Sequence, residues 1–264
     1  MMCLGLFRKK TEKPMVFKPR MCLEYAVNDY PGTQNDLNGC IDDQIDVQAY
    51  LKKYFPDYGA CQYQWRDSQV SHSSFKDNII AAIKANPGVP VIFFSDSCFS
   101  GTNTRGLSNS KPRFIKTHET EGLVRRRQFM KSVIENKTGN WIAISGCGEH
   151  QTSADAYING RYNGAATYAA LHSPTNCTWR EWVEFSNKFL EKNGFDQRMT
   201  IEGNPELLDK LIFSHDGIFI HYSGHGTQVR DTNGDEPDKY DEALYFPDGP
   251  FVDDEINEIF SLIK

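Results

Sequence analysis

The seven cysteines (3, 22, 40, 61, 98, 147 and 177) contain no Cys-x-x-Cys spacing, so the sequence offers no zinc-binding pattern. Their odd number is a poor start for a disulfide framework, and a reducing compartment is expected. No apolar run approaches membrane-spanning length, which predicts no membrane partner. An excess of basic residues is also missing: the formal charge of -6 sets aside general nucleic-acid binding. There is no internal repeat, and no glycine loop of the phosphate- or flavin-binding kind that a receiver- or flavodoxin-like domain requires. The first ten residues carry their charges after a short apolar piece, the reverse of a signal peptide, so a cytoplasmic chain is expected.

What the 264 residues do contain is enough apolar material for one sizeable α/β core. Two stretches organise it. Val91 to Phe94 follow Pro90 and run into a polar turn that ends at Gly101. So short an apolar run reads as a strand buried on both faces of a parallel sheet. Its C-terminal end carries Asp96, Cys98 and Ser100, and that end is where open α/β sheets hold ligands. The second stretch, Gly217 to Gly226, repeats the pattern with apolar Ile218 to Ile220 and with His225 between two glycines. Taken singly, Cys98 is an inert buried thiol and His225 a turn histidine. Placed on adjacent strand ends, they are a nucleophile and its base.

Between these stretches, strands alternate with helices. Met21 to Val27, Cys61 to Trp65, Trp141 to Gly146 and, at an edge, Met199 to Glu202 read as strands. Helices are predicted over 36–55, over 75–85 with Ser73 or Ser74 as cap, over 164–171, 178–190 and 204–211, and at the tail over 253–263. Residues 1–20 read as a basic arm, and 102–139 lose all periodicity and include Arg125-Arg126-Arg127. So long a segment reads as a solvated loop or a processing linker. The acidic loop after His225 offers Asp231, Asn233, Asp235 and Glu242 at EF-hand ligand positions, but Glu236 stands where the sharp turn needs glycine. The EF-hand is rejected, and a hard cation in another geometry stays open.

Tyr222-Ser-Gly-His-Gly226 and Asp96-Ser-Cys-Phe-Ser-Gly101 resemble the His and Cys motifs of metacaspases, in the caspase-like clan of cysteine peptidases. Tyr30 to Cys40, Ile144-Ser-Gly-Cys, Gln151-Thr-Ser-Ala-Asp155, Asp231 to Glu236 and Tyr240-Asp-Glu-Ala resemble further segments of that family. The resemblance implies a caspase-like three-layer sandwich over residues 21–264, with a mostly parallel six-stranded sheet and helices on both faces. It divides the domain into the linker 102–139, a small-subunit-like part 139–212 and the His-bearing part 213–264. It implies a Cys98–His225 dyad, an oxyanion hole of the Cys98 and Gly226 N–H groups, and an S1 pocket of Asp96, Asp43, Cys40 and Ser223. Protein or peptide substrates with Arg or Lys before the cut bond follow. Calcium is implied as a ligand of Asp241, Asp253 and Asp254, although Arg105 occupies the position of a further acidic ligand. Arg105, Arg125, Arg126 and Arg127 are the candidate points of self-cleavage.

Segment order departs from the family: here the Cys strand precedes the His strand, which ends the chain. The relocated strand must reach the middle of the sheet by a crossover within a monomer or by exchange in a segment-swapped dimer. Two functions follow. One is a cysteine endopeptidase; the other is a caspase-like binding or regulatory module without turnover.

Overall fold

The computed structural model describes residues 15–98, 110–115, 139–148, 151–232 and 240–263. Its strands are β1 (Arg20–Ala26), β2 (Gln62–Arg66), β3 (Val91–Asp96), β4 (Ser110–Pro112), β5 (Trp141–Ser145), β6 (Ala154–Ile158), β7 (Arg161–Gly164), β8 (Thr200–Gly203), β9 (Gly217–Ser223), β10 (Gly226–Arg230), β11 (Tyr240–Phe246) and β12 (Gly249–Val252). The helices are α1 (Cys40–Tyr54), α2 (Pro56–Gly59), α3 (His72–Ala85), α4 (Ala165–Leu171), α5 (Trp179–Lys192), α6 (Pro205–Leu208) and α7 (Asp253–Phe260). No helix among the described residues is long and apolar enough to cross a membrane.

The expected six-stranded sheet is present in the order β2-β1-β9-β3-β5-β8, parallel except for the edge strand β8. Its inner strands are apolar on both sides because helices cover both faces. Side chains alternate across a strand. Val91 and Phe93 therefore join Phe75 and Ile79 of α3 and Ile256 and Phe260 of α7. Ile92 and Phe94 join Val47 of α1, Ala166 and Ala169 of α4, and Trp182 of α5. Two smaller three-stranded sheets, β4-β6-β7 and β10-β11-β12, complete the fold.

The His-bearing strand β9 comes from the same chain and lies between β1 and β3, with Asp96 opposite Ser223 and Ala26 opposite Ser223 on the other side. Residues 209–216 carry it there from the sheet's edge. The Trp179 N–H donates to the Lys210 carbonyl at 3.1 Å, and the Ile212 N–H to the Cys177 carbonyl at 3.0 Å. Phe213 sits in a ring of Phe55, Tyr58, Trp179 and Phe219, its centroid 4.8 to 5.0 Å from each. Gly217 then enters the sheet where a Cβ would lie 2.3 Å from the Tyr58 hydroxyl, so only glycine fits.

Several boundaries differ from the sequence reading. Helix α1 begins at Cys40, not Asp36, because Asp36 accepts the Tyr30 N–H and the N–H groups of Asn38 and Gly39 turn to Asp155. The cap of α3 is Ser71, with Ser74 closing a capping box. Ser110–Pro112, inside the segment read as lacking regular structure, pairs antiparallel with β6. The hairpins β6–β7 and β10–β11–β12 were not predicted.

Replacing Phe213 with Ala should empty this aromatic ring and lower unfolding stability by about 3 to 5 kcal/mol, read as a lower urea midpoint with an unchanged slope.

Candidate active site

Two parallel strands in register end side by side. Asp96 pairs with Ser223, so Cys98 and His225, each two residues further on, leave the sheet at neighbouring points. Cys98 is fully buried and His225 nearly so, at 2% exposure. The His225 Nε2 lies 2.5 Å from the Asn35 carbonyl. A carbonyl can only accept, so Nε2 carries the hydrogen in the neutral ring and Nδ1 holds a lone pair. That Nδ1 is buried with no hydrogen-bond partner. Tyr30 fixes the residue further: its hydroxyl accepts the His225 N–H at 2.7 Å, and its ring lies 4.6 Å away. Burial holds the His225 pKa down to about 4, against the pull of the Asn35 and Arg113 backbone groups. The ring is therefore a neutral base at pH 7.

The Cys98 sulfur accepts the Ser153 N–H at 2.8 Å and lies 3.6 Å from the Cys147 sulfur. It also lies 3.4 Å from the Gln151 carbonyl, to which the thiol can donate. Cys147 is pushed well above the usual thiol range, first by its contact with Cys98 and then by burial, and stays protonated.

Asp96, Asp43, Cys40 and Ser223 surround one cation, the fully buried guanidinium of Arg113. Its Nη2 donates to Asp43 at 2.8 Å and to Asp155 at 3.2 Å. Its Nη1 donates to Ser223 Oγ at 2.7 Å and to the Asp96 carbonyl at 3.1 Å, with the Asp96 carboxylate at 3.4 Å. Burial works against the Arg113 charge, and the surrounding acids more than offset it and hold its pKa well above the usual value. Burial likewise pushes the Asp43 carboxyl up to about 7, against Arg113 and the Ser223 hydroxyl, which pull it down. Other donors hold the acids in place: Asp96 accepts from Ser153 Oγ at 2.5 Å and from Thr167 N and Oγ1 at 2.8 and 2.7 Å, and Asp43 from Gly164 N at 2.8 Å. Gly164 leaves room for the cation, since a Cβ there would lie 2.3 Å from Asp96 and 2.4 Å from Arg113.

The backbone of Arg113 converges on the same site. Its carbonyl accepts the Cys98 N–H at 3.1 Å and the Gly226 N–H at 3.0 Å, the two groups named above as an oxyanion hole. Asp155, Asn35, Ser153 and Arg113 were not singled out as site residues. Asp155 lies within a quoted motif, but nothing in the sequence tells a pocket acid from an acceptor for a turn, and here it takes the Asn38 and Gly39 N–H groups as well as the cation.

The calcium positions lie elsewhere. Asp241 is on β11, and Asp253 and Asp254 open α7, where the Asp253 carboxylate accepts the Asp254 N–H at 3.1 Å. Among the described residues, no three His, Cys, Asp or Glu side chains converge as a metal site. Arg105, Arg125, Arg126 and Arg127 lie outside the described residues, as do 233–239 of the acidic loop.

Comparison with known proteins meets this geometry at its His-bearing end. The family model for the metacaspase, peptidase C14 domain, matches residues 191–264. Metacaspase-1A of Neurospora crassa is 52% identical over 48 residues, 17% of this chain and 11% of that protein. Metacaspase-1 of Schizosaccharomyces pombe is 51% identical over 49 residues, 17% of this chain and 12% of that protein. The segment is metacaspase-like. The resemblance drawn from the motifs is borne out there, while the match spans only about a ninth of each curated relative. The crystal structure of protein GSU0716 from Geobacter sulfurreducens aligns with a TM-score of 0.50 at 17% identity, over 73% of this chain and 97% of that one, a likeness of fold alone. In the metacaspase-like segment, β9 also supplies His221, wholly buried behind Asp96. Its Nε2 lies 3.2 Å from Thr167 Oγ1, which donates its own hydrogen to Asp96.

Burial lowers the His221 pKa to about 4. Between pH 6.5 and 4 the unfolded chain binds a proton there that the native chain does not, so stability falls as pH falls. Compared with His221→Gln, the wild type should lose roughly 3 kcal/mol more across that window, measured by urea unfolding at pH 7.5 and near 4.

Proposed function

We propose that this chain is a cysteine endopeptidase that cuts peptide bonds after Arg or Lys. The observation that carries the reading is one residue's geometry: a guanidinium among Asp43, Asp96 and Asp155, with its own carbonyl on the N–H groups of Cys98 and Gly226. A substrate with a basic residue before the cut bond would take the same place.

Catalysis then runs through this chain's own groups. His225 Nδ1 takes the Cys98 proton, and the thiolate attacks the carbonyl carbon. Negative charge developing on the carbonyl oxygen falls between the Cys98 and Gly226 N–H groups. His225 returns the proton to the leaving amine as the C–N bond breaks. Water then hydrolyses the thioester and frees the thiol. The binding-module alternative is what a permanently filled cleft would give, so turnover decides between the two. Calcium activation rests on the family resemblance alone, and assay with added calcium and with chelator tests it.

Followed to a steady rate, the chain should hydrolyse short Arg- and Lys-terminated fluorogenic peptides, and Cys98→Ala and His225→Ala should abolish this. Turnover that survives Cys98→Ala would sink the reading. Removing one charged partner of a buried pair is costly, so Asp43→Asn should lower kcat/KM for an Arg peptide by about 10² to 10³. Because burial raises the Asp43 carboxyl and its ionised form holds the cation, KM for the Arg peptide should fall as pH rises. In Asp43→Asn that change of KM with pH should vanish.

A further inference from the structure

We infer that His221 is a positioning residue for the pocket: through the Thr167 hydroxyl it fixes the Asp96 carboxylate, and so sets how tightly the basic side chain of a substrate is gripped. The inference rests on the peptidase reading above and adds a residue that touches neither the substrate nor the reacting atoms.

Two chains of donors hold the Asp96 carboxylate. On Oδ1 the Ser153 hydroxyl donates at 2.5 Å, and Ser153 Oγ in turn accepts from Gln197 Nε2 at 3.2 Å. On Oδ2 the Thr167 hydroxyl donates at 2.7 Å and the Thr167 N–H at 2.8 Å. A hydroxyl has one hydrogen. Thr167 Oγ1 has spent its own on Asp96, so it can only accept from His221 Nε2, 3.2 Å away. The imidazole is therefore the Nε2–H tautomer, and it does for Thr167 what Gln197 does for Ser153. The arrangement at Asp43 is different. There the Ser223 hydroxyl is met from behind by the Arg113 cation itself, whereas both hydroxyls at Asp96 are aimed by other side chains. The oxygen that His221 serves, Oδ2, is also the one 3.4 Å from Arg113 Nη1.

A core role alone does not account for this residue. The ring is wholly buried beside Phe94 and Phe219, with centroids 5.2 and 6.4 Å away. Its Nδ1 has no hydrogen-bond partner, and a buried polar atom left unmet costs stability. A phenylalanine would fill the space among those rings without that cost. What the imidazole supplies is the N–H at Thr167 Oγ1. Burial also keeps the ring neutral at pH 7, so the donor comes without a second positive charge to repel the substrate's. Without that N–H the Thr167 hydroxyl is free to turn away from Asp96. A carboxylate that has lost its fixed donor must be ordered anew each time a cation binds, which weakens the grip.

The test measures steady-state kcat and KM of the full chain on a short Arg-terminated fluorogenic peptide. Two variants remove the N–H, His221→Phe and His221→Leu, and His221→Gln keeps one at similar reach. Thr167→Val is measured alone and combined with either of the first two. His221→Phe, His221→Leu and Thr167→Val should each raise KM about tenfold, with kcat within about twofold of wild type, since what is lost is a hold on a charged group that binds the substrate. His221→Gln should stay within about threefold of the wild-type KM. Because the histidine acts through the hydroxyl, the double variant should bind no more weakly than Thr167→Val alone. The inference is overturned, and the peptidase reading left standing, by an unchanged KM in a folded His221→Phe or His221→Leu, or by a fall of kcat with KM unmoved. Losses that add in the double variant, or a His221→Gln no better than His221→Phe, do the same. So does failure of both His221→Phe and His221→Leu to show cooperative urea unfolding, which marks the ring as structural. No turnover of the peptide by wild type overturns the peptidase reading and the inference with it.

Discussion

A buried cation among three buried carboxylates is the constraint on which the site depends. Taking ions out of water costs several kcal/mol each, and mutual attraction offsets this only when the remaining lone pairs and protons are hydrogen-bonded. Here the carboxylates are held, while the Arg113 Nε–H is left without a partner, and the donors to the acids come from separate parts of the fold: Ser153 and Thr167 for Asp96, Gly164 and Ser223 for Asp43, and the N–H groups of Asn38 and Gly39 for Asp155. Fixed dipoles as well as the cation hold the acids, which is what preorganised recognition requires. The planar fork of arginine suits it well: one nitrogen spans Asp43 and Asp155 while the other meets Ser223 and Asp96.

Sheet register, not chain order, delivers the thiol and the imidazole. Once β9 enters between β1 and β3 with Asp96 opposite Ser223, the residues two positions on must emerge together, whichever strand is made first. The same logic lets one catalytic geometry recur in several sequence orders. What relocation adds is a connection, and residues 209–216 supply it with an aromatic anchor at Phe213, whose φ of 51° shows how tightly the chain turns there.

The elements legible in the sequence were those with a repeating apolar pattern. β3, β5 and β9 are short apolar runs buried on both faces, and the amphipathic helices α3, α5 and α7 each show an apolar stripe. The hairpins were illegible because most of their strands, four or five residues long, carry too short a period to detect, and β4 pairs with a strand some forty residues away. Asp43, Asp96, Cys40 and Ser223 were reachable through motifs; the structure gathers them around Arg113. Asn35 acts through its carbonyl and Ser153 through its N–H, groups that every such residue has and no side chain announces. Arg113 sat in a stretch without periodicity, and only three-dimensional placement distinguishes it from its basic neighbours in sequence.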